Sequence, residues 1–165
     1  MSKVYHLKSI QKLPIGIKEA WDFFSNPQNL LQITPPFLNL KVTNEVFSEE
    51  VYPGQVMIYT VKPLLGIAME WMTEITHVET GKMFVDEQRK GPYKLWHHQH
   101  HFKAIEGGVE MIDLVHYRLP LGVLGDLGQK WVVRNKLKEI FEYRYNKVNE
   151  LFGAWTEKEM KLRMD

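Results

Sequence analysis

The sequence contains no cysteine among its 165 residues, which excludes both a disulfide framework and a thiolate metal site. No apolar run approaches the ~18 residues that a membrane span requires. The N-terminal residues, from Met1 to His6, show no apolar segment followed by a small-residue cleavage site. These absences predict a cytoplasmic protein without stable membrane insertion.

A strong charge of either sign is also missing, because the formal net charge is only +1 at pH 7. This balance gives no bulk attraction for nucleic acid, and no motif that reads DNA or RNA is present. The composition is ordinary for a globular protein, with 44% apolar and 25% charged residues. We expect a single domain over residues 1–155 and a charged tail, 156–165, that either extends the last helix or frays.

Apolar periodicity predicts an α+β chain. Helical spacing indicates a first short helix over residues 17–24, and Asn26-Pro27 is typical of the N-cap and first turn of a second one. Alternation of apolar and polar residues predicts seven strands. These lie at about residues 3–13, 38–46, 55–62, 67–78, 82–89, 91–102 and 109–119.

A long helix is predicted over about residues 126–155, with an apolar stripe that should pack on an antiparallel sheet built from successive hairpins. The stripe comprises Leu127, Trp131, Leu137, Phe141, Val148, Leu151, Phe152 and Trp155. Gly122, Gly125 and Gly128 lack the spacing of a phosphate-binding loop. We therefore expect no cofactor and interpret this connection as a flexible gate.

The most unusual segment is residues 91–102, where four of the seven histidines lie within five residues. On a strand, side chains alternate between two faces, so the outer face comprises Tyr93, Leu95, His97, Gln99 and His101. The other face comprises Trp96, His98, His100 and Phe102.

The register of the neighbouring strands determines which of their residues point to the same side of the sheet as His98 and His100. A two-residue turn at Gly107-Gly108 would pair Glu106 with Val109. The resulting pairs are Trp96–Leu119, His98–Tyr117, His100–Val115 and Phe102–Asp113. For the hairpin at residues 79–81 we expect the pairs Trp71–Gln88, Thr73–Asp86 and Ile75–Phe84. Large apolar groups would then mix with a few convergent polar ones, as in a small-molecule cavity.

Two specific functional interpretations of this face remain open, a metal site and an acid–base catalytic site. His98 and His100 lie ~6.6–6.8 Å apart by strand rise and could share a metal ion with Asp113, but no spacing fixes a third ligand, so we assign no metal. The same residues with Tyr117 could move a proton in acid–base catalysis. Alternatively, these groups satisfy one another's hydrogen bonds inside the sheet. On the long helix, we interpret Arg134, Lys138 and Arg144 as a solvated or ion-paired face, from which one of the three could reach a ligand carboxylate.

A series of short motifs is spread along the chain. They are Trp21-x-Phe23-Phe24-x-Asn26-Pro27-x-Asn29-Leu30, Ile33-Thr34-Pro35-Pro36, Phe84-Val85-Asp86-Glu87-Gln88, Gly91-Pro92-Tyr93, Trp96-x-His98-x-His100-x-Phe102, Asp113-x-Val115-x-Tyr117, Leu119-Pro120-Leu121-Gly122 and Ile140-Phe141-x-Tyr143-Arg144. Over about residues 3–150 this order resembles the ligand-binding SRPBCC proteins of the START/Bet v1-like superfamily.

The resemblance implies a helix-grip fold, in which a seven-stranded antiparallel sheet curves around a long C-terminal helix. It also implies a hydrophobic small-molecule partner, such as a lipid, a polyketide or an aromatic compound, held between sheet and helix. The expected ligand-binding residues are Trp71, Phe84, Asp86, Gln88, Trp96, His98, His100, Phe102, Asp113, Tyr117 and Phe141. Because the superfamily includes polyketide cyclases, the alternative is a cyclase or dehydratase that uses His98, His100, Asp113 and Tyr117 as acid–base groups.

Overall fold

The computed structural model describes residues 3–44, 48–63, 67–120, 128–156 and 160–165. Its largest element is an antiparallel sheet of eight strands. The strands are β1 (Tyr5–Leu13), β2 (Lys41–Val42), β3 (Val56–Val61), β4 (Met69–Glu79), β5 (Met83–Lys90), β6 (Leu95–Ile105), β7 (Gly108–Arg118) and β8 (Lys161–Met164). Their order across the sheet is β2-β3-β4-β5-β6-β7-β1-β8.

Within the described ranges, two α-helices accompany the sheet: α1 (Ile17–Phe24) and α2 (Gly128–Phe152). A 3₁₀ helix, Pro27–Ile33, begins where the Asn26-Pro27 signal predicts a helix, and the Asn26 side chain accepts a hydrogen bond from the Gln28 backbone N–H. The predicted second short helix is therefore present, as a 3₁₀ helix. No helix in the described ranges is long and apolar enough to cross a membrane.

The long helix α2 packs against one face of the sheet, called here the inner face. Leu137 and Phe141 are buried with Trp96, Val115 and Tyr117 in one core cluster. A second cluster joins α1 and the later part of α2 to the middle of the sheet. The prediction of an α+β chain with a large antiparallel sheet and a C-terminal helix is confirmed, and the arrangement is consistent with a helix grip.

The predicted count of seven strands is wrong, because the chain tail adds an eighth. Residues 161–164 neither extend the helix nor fray, but pair antiparallel with β1. Leu162 and Met164 pack against the apolar cluster, whereas Lys161 and Arg163 alternate with them. Four residues of alternation are too short a pattern to separate a strand from a charged tail.

The strand predicted at residues 38–46 shrinks to the two residues of β2. Pro36–Leu38 forms one turn of 3₁₀ helix, and Asn39 follows with a left-handed φ of 45°. This turn uses residues that the alternation pattern assigned to a strand. Asparagine tolerates the left-handed region better than most residues, which explains its position there.

The predicted register of β6 and β7 is wrong by two residues. The turn is Glu106-Gly107, with Ile105 paired to Gly108 and Gly107 at φ 77°. The observed pairs are Trp96–Tyr117, His98–Val115, His100–Asp113 and Phe102–Met111. A shift of two residues preserves the face, so Asp113, Val115 and Tyr117 still share the inner face with the two histidines.

The predicted register of β4 and β5 is also wrong. Thr73 pairs with Gln88, Ile75 with Asp86, and Phe84 with Val78. Two irregularities, between Met72 and Thr73 and between Ile75 and His77, shift the pairing along the hairpin. Bulges of this kind leave no clear mark in an apolar pattern.

The predicted stripe of α2 is partly wrong. Leu137, Phe141 and Val148 are buried, but Trp131 is 73% exposed and Leu151 is 41% exposed. The helix ends at Phe152, because Gly153 turns at φ 90° and donates its N–H to the Asn149 carbonyl, so Trp155 lies beyond it. Leu127 and the predicted gate, residues 121–127, lie outside the described residues.

Candidate functional site: an apolar cavity with a buried polar wall

A cavity of about 180 Å³ lies between the inner face of the sheet, α2 and the 3₁₀ helix Pro27–Ile33. Most of its wall is apolar, with contributions from all three of these elements. Among the lining residues are Leu30, Ile33, Met57, Val61, Ile75, Leu137 and Ile140. An apolar enclosure of this kind, with a few polar groups, is the usual form of a small-molecule site.

Seven of the eleven residues predicted to bind a ligand line this cavity. They are Trp71, Phe84, Asp86, Trp96, His98, His100 and Phe141. The structure therefore brings together residues from β4, β5, β6 and α2.

The other four predicted residues lie beside the cavity, outside its described lining. Gln88 forms two hydrogen bonds with the backbone of Tyr93. Its side-chain Nε2 donates to the Tyr93 carbonyl at 2.6 Å, and its Oε1 accepts from the Tyr93 N–H at 3.2 Å. Phe102 packs against Trp21 and Phe84. The ring of Tyr117 stacks on Tyr5 with centroids 5.5 Å apart.

Asp113, the fourth, completes a ring of four polar side chains that we call the His–Asp tetrad: Asp86, His98, His100 and Asp113. His98 Nε2 lies 2.9 Å from Asp113 Oδ1, and His100 Nε2 lies 2.9 Å from Asp86 Oδ2. The remaining ring nitrogens lie near carboxylate oxygens, with His100 Nδ1 at 3.1 Å from Asp113 Oδ1 and His98 Nδ1 at 3.5 Å from Asp86 Oδ2, although His100 Nδ1 lacks hydrogen-bond geometry.

Sheet register explains why these four side chains meet. Asp86 is directly opposite His98, and His100 is directly opposite Asp113. Opposed residues share a face with Cβ atoms about 4.5–5.5 Å apart, so two adjacent pairs form a compact square. The imidazole rings lie 3.8 Å apart by their centroids.

The electrostatics of the tetrad favour two ionised carboxylates and one protonated histidine. Burial would raise the pKa of Asp113, but Arg144 and the two histidines outweigh it and hold that pKa well below its usual value. Burial would likewise raise the pKa of Asp86, yet His98 and His100 lower it. Both carboxyl groups are therefore anionic at neutral pH.

The pKa values of the two histidines shift in opposite directions. Burial opposes protonation of His100, but the nearby carboxylates of Asp113 and Asp86 prevail and raise its pKa. Burial lowers the pKa of His98, and the neighbouring charge on His100 lowers it further. His98 is therefore the neutral member, with its Nε2–H best placed to donate to Asp113.

A metal ion is not needed to explain this arrangement. Asp86, His98 and His100 could each offer a ligand atom, and these atoms lie within 4.8 Å of one another. However, each of the four imidazole nitrogens already faces a carboxylate oxygen at 2.9–3.5 Å. An added cation would displace those contacts and lie near the positive charge of Arg144.

Arg144 was expected on a solvated or ion-paired helix face, as one of three residues that could reach a ligand, but it lies in the cavity wall. Its side chain is only 11% exposed, it lines the cavity, and its Nη2 lies 3.8 Å from Asp113 Oδ1. A usable signal exists: Leu137, Phe141, Arg144 and Val148 follow the i, i+4, i+7, i+11 spacing of a buried helix stripe.

Tyr93 was predicted on the outer face, but it lines the cavity. The strand begins only at Leu95, so alternation does not apply at Tyr93. Burial raises the pKa of Tyr93 and also that of Tyr59, another cavity residue, which keeps both phenols neutral.

Solved structures share this architecture at low sequence identity. Protein Ms6760 from Mycobacterium smegmatis is 16% identical, with a TM-score of 0.62 over 88% of this chain and 89% of that one. Ara h 8.0201, a Bet v1 allergen, is 15% identical, with a TM-score of 0.56 over 90% of this chain and 99% of the allergen. The chain has a Bet v1-like fold.

A third neighbour is the nucleoside-diphosphate sugar epimerase from Corynebacterium glutamicum, which is 21% identical with a TM-score of 0.60. The match covers 87% of this chain but 28% of that protein, so the Bet v1-like unit corresponds to a part of it. No protein-family model and no curated protein matches the sequence. At these identities the likeness shows the fold alone.

Proposed function

We propose that the chain is a ligand-binding SRPBCC protein whose single domain, residues 1–155, binds a hydrophobic small molecule such as a lipid, a polyketide or an aromatic compound. The observation that carries this proposal is the apolar cavity between sheet and α2, with the His–Asp tetrad in one wall. Apolar contacts supply affinity, because burial contributes about 25 cal/mol per Å² of apolar surface. The polar wall orients one end of the ligand.

The test is native mass spectrometry after gentle purification, followed by titration with a library of lipids and aromatic compounds. We expect either a co-purified ligand or binding of library members at one molecule per chain. A cavity that is empty after purification and binds no library member contradicts the proposal.

A pair of α2 variants links binding to the cavity. Ile140→Trp fills space in the cavity wall and should abolish binding of any library member that the unmodified protein binds. Val132→Trp adds the same ring at a position that is 52% exposed on the same helix, and should leave binding unchanged. Equal effects of the two variants would place the ligand elsewhere.

A second candidate function is a cyclase or dehydratase that uses the same wall. The observation in its favour is that two adjacent cavity histidines, with ring centroids 3.8 Å apart, have pKa values shifted in opposite directions, so that His98 is suited to accept a proton and His100 to donate one. His98 and His100 line the cavity, Asp113 orients both, and Tyr117 lies outside the described lining. Turnover of a discovered substrate that survives both His98→Ala and His100→Ala would exclude this function.

A further inference from the structure

The cavity wall carries more hydrogen-bond donors than it uses. Arg144 has five N–H donors, yet it donates no hydrogen bond to any residue in the described ranges, and its Nε is buried without a partner there. Its 3.8 Å approach to Asp113 exceeds hydrogen-bond distance, and its guanidinium carbon lies 5.6 Å from the centre of the Phe24 ring.

Trp71 adds a second unused donor. Its side chain lines the same cavity, and its indole Nε1 is buried without a partner in the described part of the chain. A buried N–H without a partner is energetically costly, so such groups are normally satisfied. Neither arginine nor tryptophan can accept a hydrogen bond, so the missing partner must be an acceptor.

Charge restricts the nature of that acceptor. The two carboxylates, Asp86 and Asp113, are balanced by Arg144 and by His100, whose two ring nitrogens both lie within 3.1 Å of a carboxylate oxygen. A further anion would leave this buried group with a net negative charge, which is costly away from water. A neutral acceptor satisfies the donors and leaves the balance unchanged.

We propose that the ligand is an apolar molecule with an uncharged carbonyl oxygen, as in a ketone, an ester or a quinone, and that this oxygen accepts a hydrogen bond from Arg144. The indole N–H of Trp71 is a further donor in the same wall. This inference rests on the proposed binding function and names the class of ligand for that site.

Three probes of similar size test the inference. 2-Acetonaphthone carries the carbonyl oxygen, 2-isopropenylnaphthalene replaces that oxygen with a methylene group, and 2-naphthoate replaces the ketone with an anion. We expect the ketone to bind at least about tenfold more tightly than either of the others, measured by calorimetry at pH 7. An infrared band of the ¹³C-labelled carbonyl should also move to lower frequency on binding than it has in an alkane solvent.

Variants at Arg144 assign the preference to this residue. Arg144→Met should bind the ketone and the isopropenyl compound equally well, whereas Lys138→Met, a matched control on an exposed part of α2, should keep the tenfold preference. Should loss of the charge beside Asp113 prevent folding, Arg144→Lys keeps the charge but removes the guanidinium fork, and it should lower the preference by several fold.

The outcomes separate the inference from the binding function. Equal affinity for the ketone and the isopropenyl compound, or tighter binding of naphthoate, overturns the inference and leaves a hydrophobic binder. Retention of the preference in folded Arg144→Met also overturns it. If none of the probes binds and no ligand co-purifies, both the inference and the proposed function fail.

Discussion

Asp113 shows how one residue can hold a polar wall together. Its side chain is 2% exposed, and its Oδ1 lies within 4 Å of His98, His100 and Arg144. Removing one member of a buried charge network leaves the others unpaired, which costs more than the network contributes as a whole. Asp113 therefore affects the stability of the fold as well as the position of the cavity histidines.

We predict that Asp113→Asn lowers the free energy of unfolding at pH 7 by about 3–5 kcal/mol. Because the folded-state pKa of Asp113 is well below its usual value, its contribution is present above about pH 4 and is lost as pH falls through the folded pKa. Urea titrations should thus show that the free energy of unfolding falls more steeply with decreasing pH in the unmodified protein than in the variant. The control is Asp22→Asn, which removes one partner of the exposed ion pair with Lys18 and should change the free energy of unfolding little. An equally small change for Asp113→Asn would contradict the prediction.

His100 should give the opposite dependence on pH. Its pKa is raised in the folded state, so its contribution is complete below the unfolded value of about 6.5 and is lost as pH rises through the folded pKa. The stability difference between the unmodified protein and His100→Asn should therefore shrink as pH rises from 6. Side-chain ¹⁵N NMR at pH 7 should show an imidazolium at His100 and a neutral ring at His98; a neutral His100 would refute the charge assignment.

At the scale of elements, the β6–β7 hairpin depends on two adjacent glycines for different reasons. Gly107 has a left-handed φ of 77°, and a Cβ there would have ordinary contacts. A Cβ on Gly108 would lie 2.0 Å from the Leu13 carbonyl oxygen and 2.9 Å from the Trp155 ring. Gly108 therefore permits β1 and the segment after α2 to approach the turn.

We predict that Gly108→Ala destabilises the protein by about 3 kcal/mol, because the clash with backbone forces the strands apart. Gly107→Ala should cost about 1–2 kcal/mol, the usual cost of a left-handed alanine. Thermal and urea denaturation of both variants measure the difference. A larger loss at Gly107 than at Gly108 would mean that the turn conformation, not the close approach, limits this position.

The elements also show what a sequence can and cannot predict. Alternation from Trp96 to Phe102 predicted the correct face for His98 and His100. The register error of two residues did not change which residues share that face, because strand side chains return to the same face every two residues. The bulges of β4–β5 were missed because they leave no clear mark in an apolar pattern. The short strand β8 was missed because it pairs with residues that are far away in the sequence. Arg144 was not singled out from Arg134 and Lys138, because charged residues usually face solvent, although its helical spacing indicated burial.

On the scale of the whole molecule, β8 covers the outer edge of β1 and is the last strand of the sheet on that side. It pairs with β1 from Leu7 to Ile10, and the Arg134 side chain donates to the Met164 carbonyl at 3.0 Å, which connects this edge to α2. Without β8, the outer edge of β1 would present unpaired backbone groups, which promotes association between sheets.

We predict that deletion of residues 160–165 leaves ligand binding intact but speeds amide exchange in β1 and favours self-association. Hydrogen exchange by mass spectrometry measures the first effect and light scattering the second, with peptides from β3 and β4 as the internal control. Unchanged exchange in β1 would show that β8 contributes nothing to the stability of this edge.

The position of β1 between β7 and β8 also has a consequence for folding kinetics. The strands β3 to β7 form hairpins with near neighbours, whereas β1 finds its partner about a hundred residues further along the chain. Closing so long a loop is entropically costly before other contacts reward it. We expect strands β3 to β7 to form early in folding and β1 to pair with β7 late. Leu7→Ala should therefore speed unfolding far more than it slows folding, as measured by stopped-flow kinetics. If the variant mainly slows folding, β1 is already paired in the folding transition state.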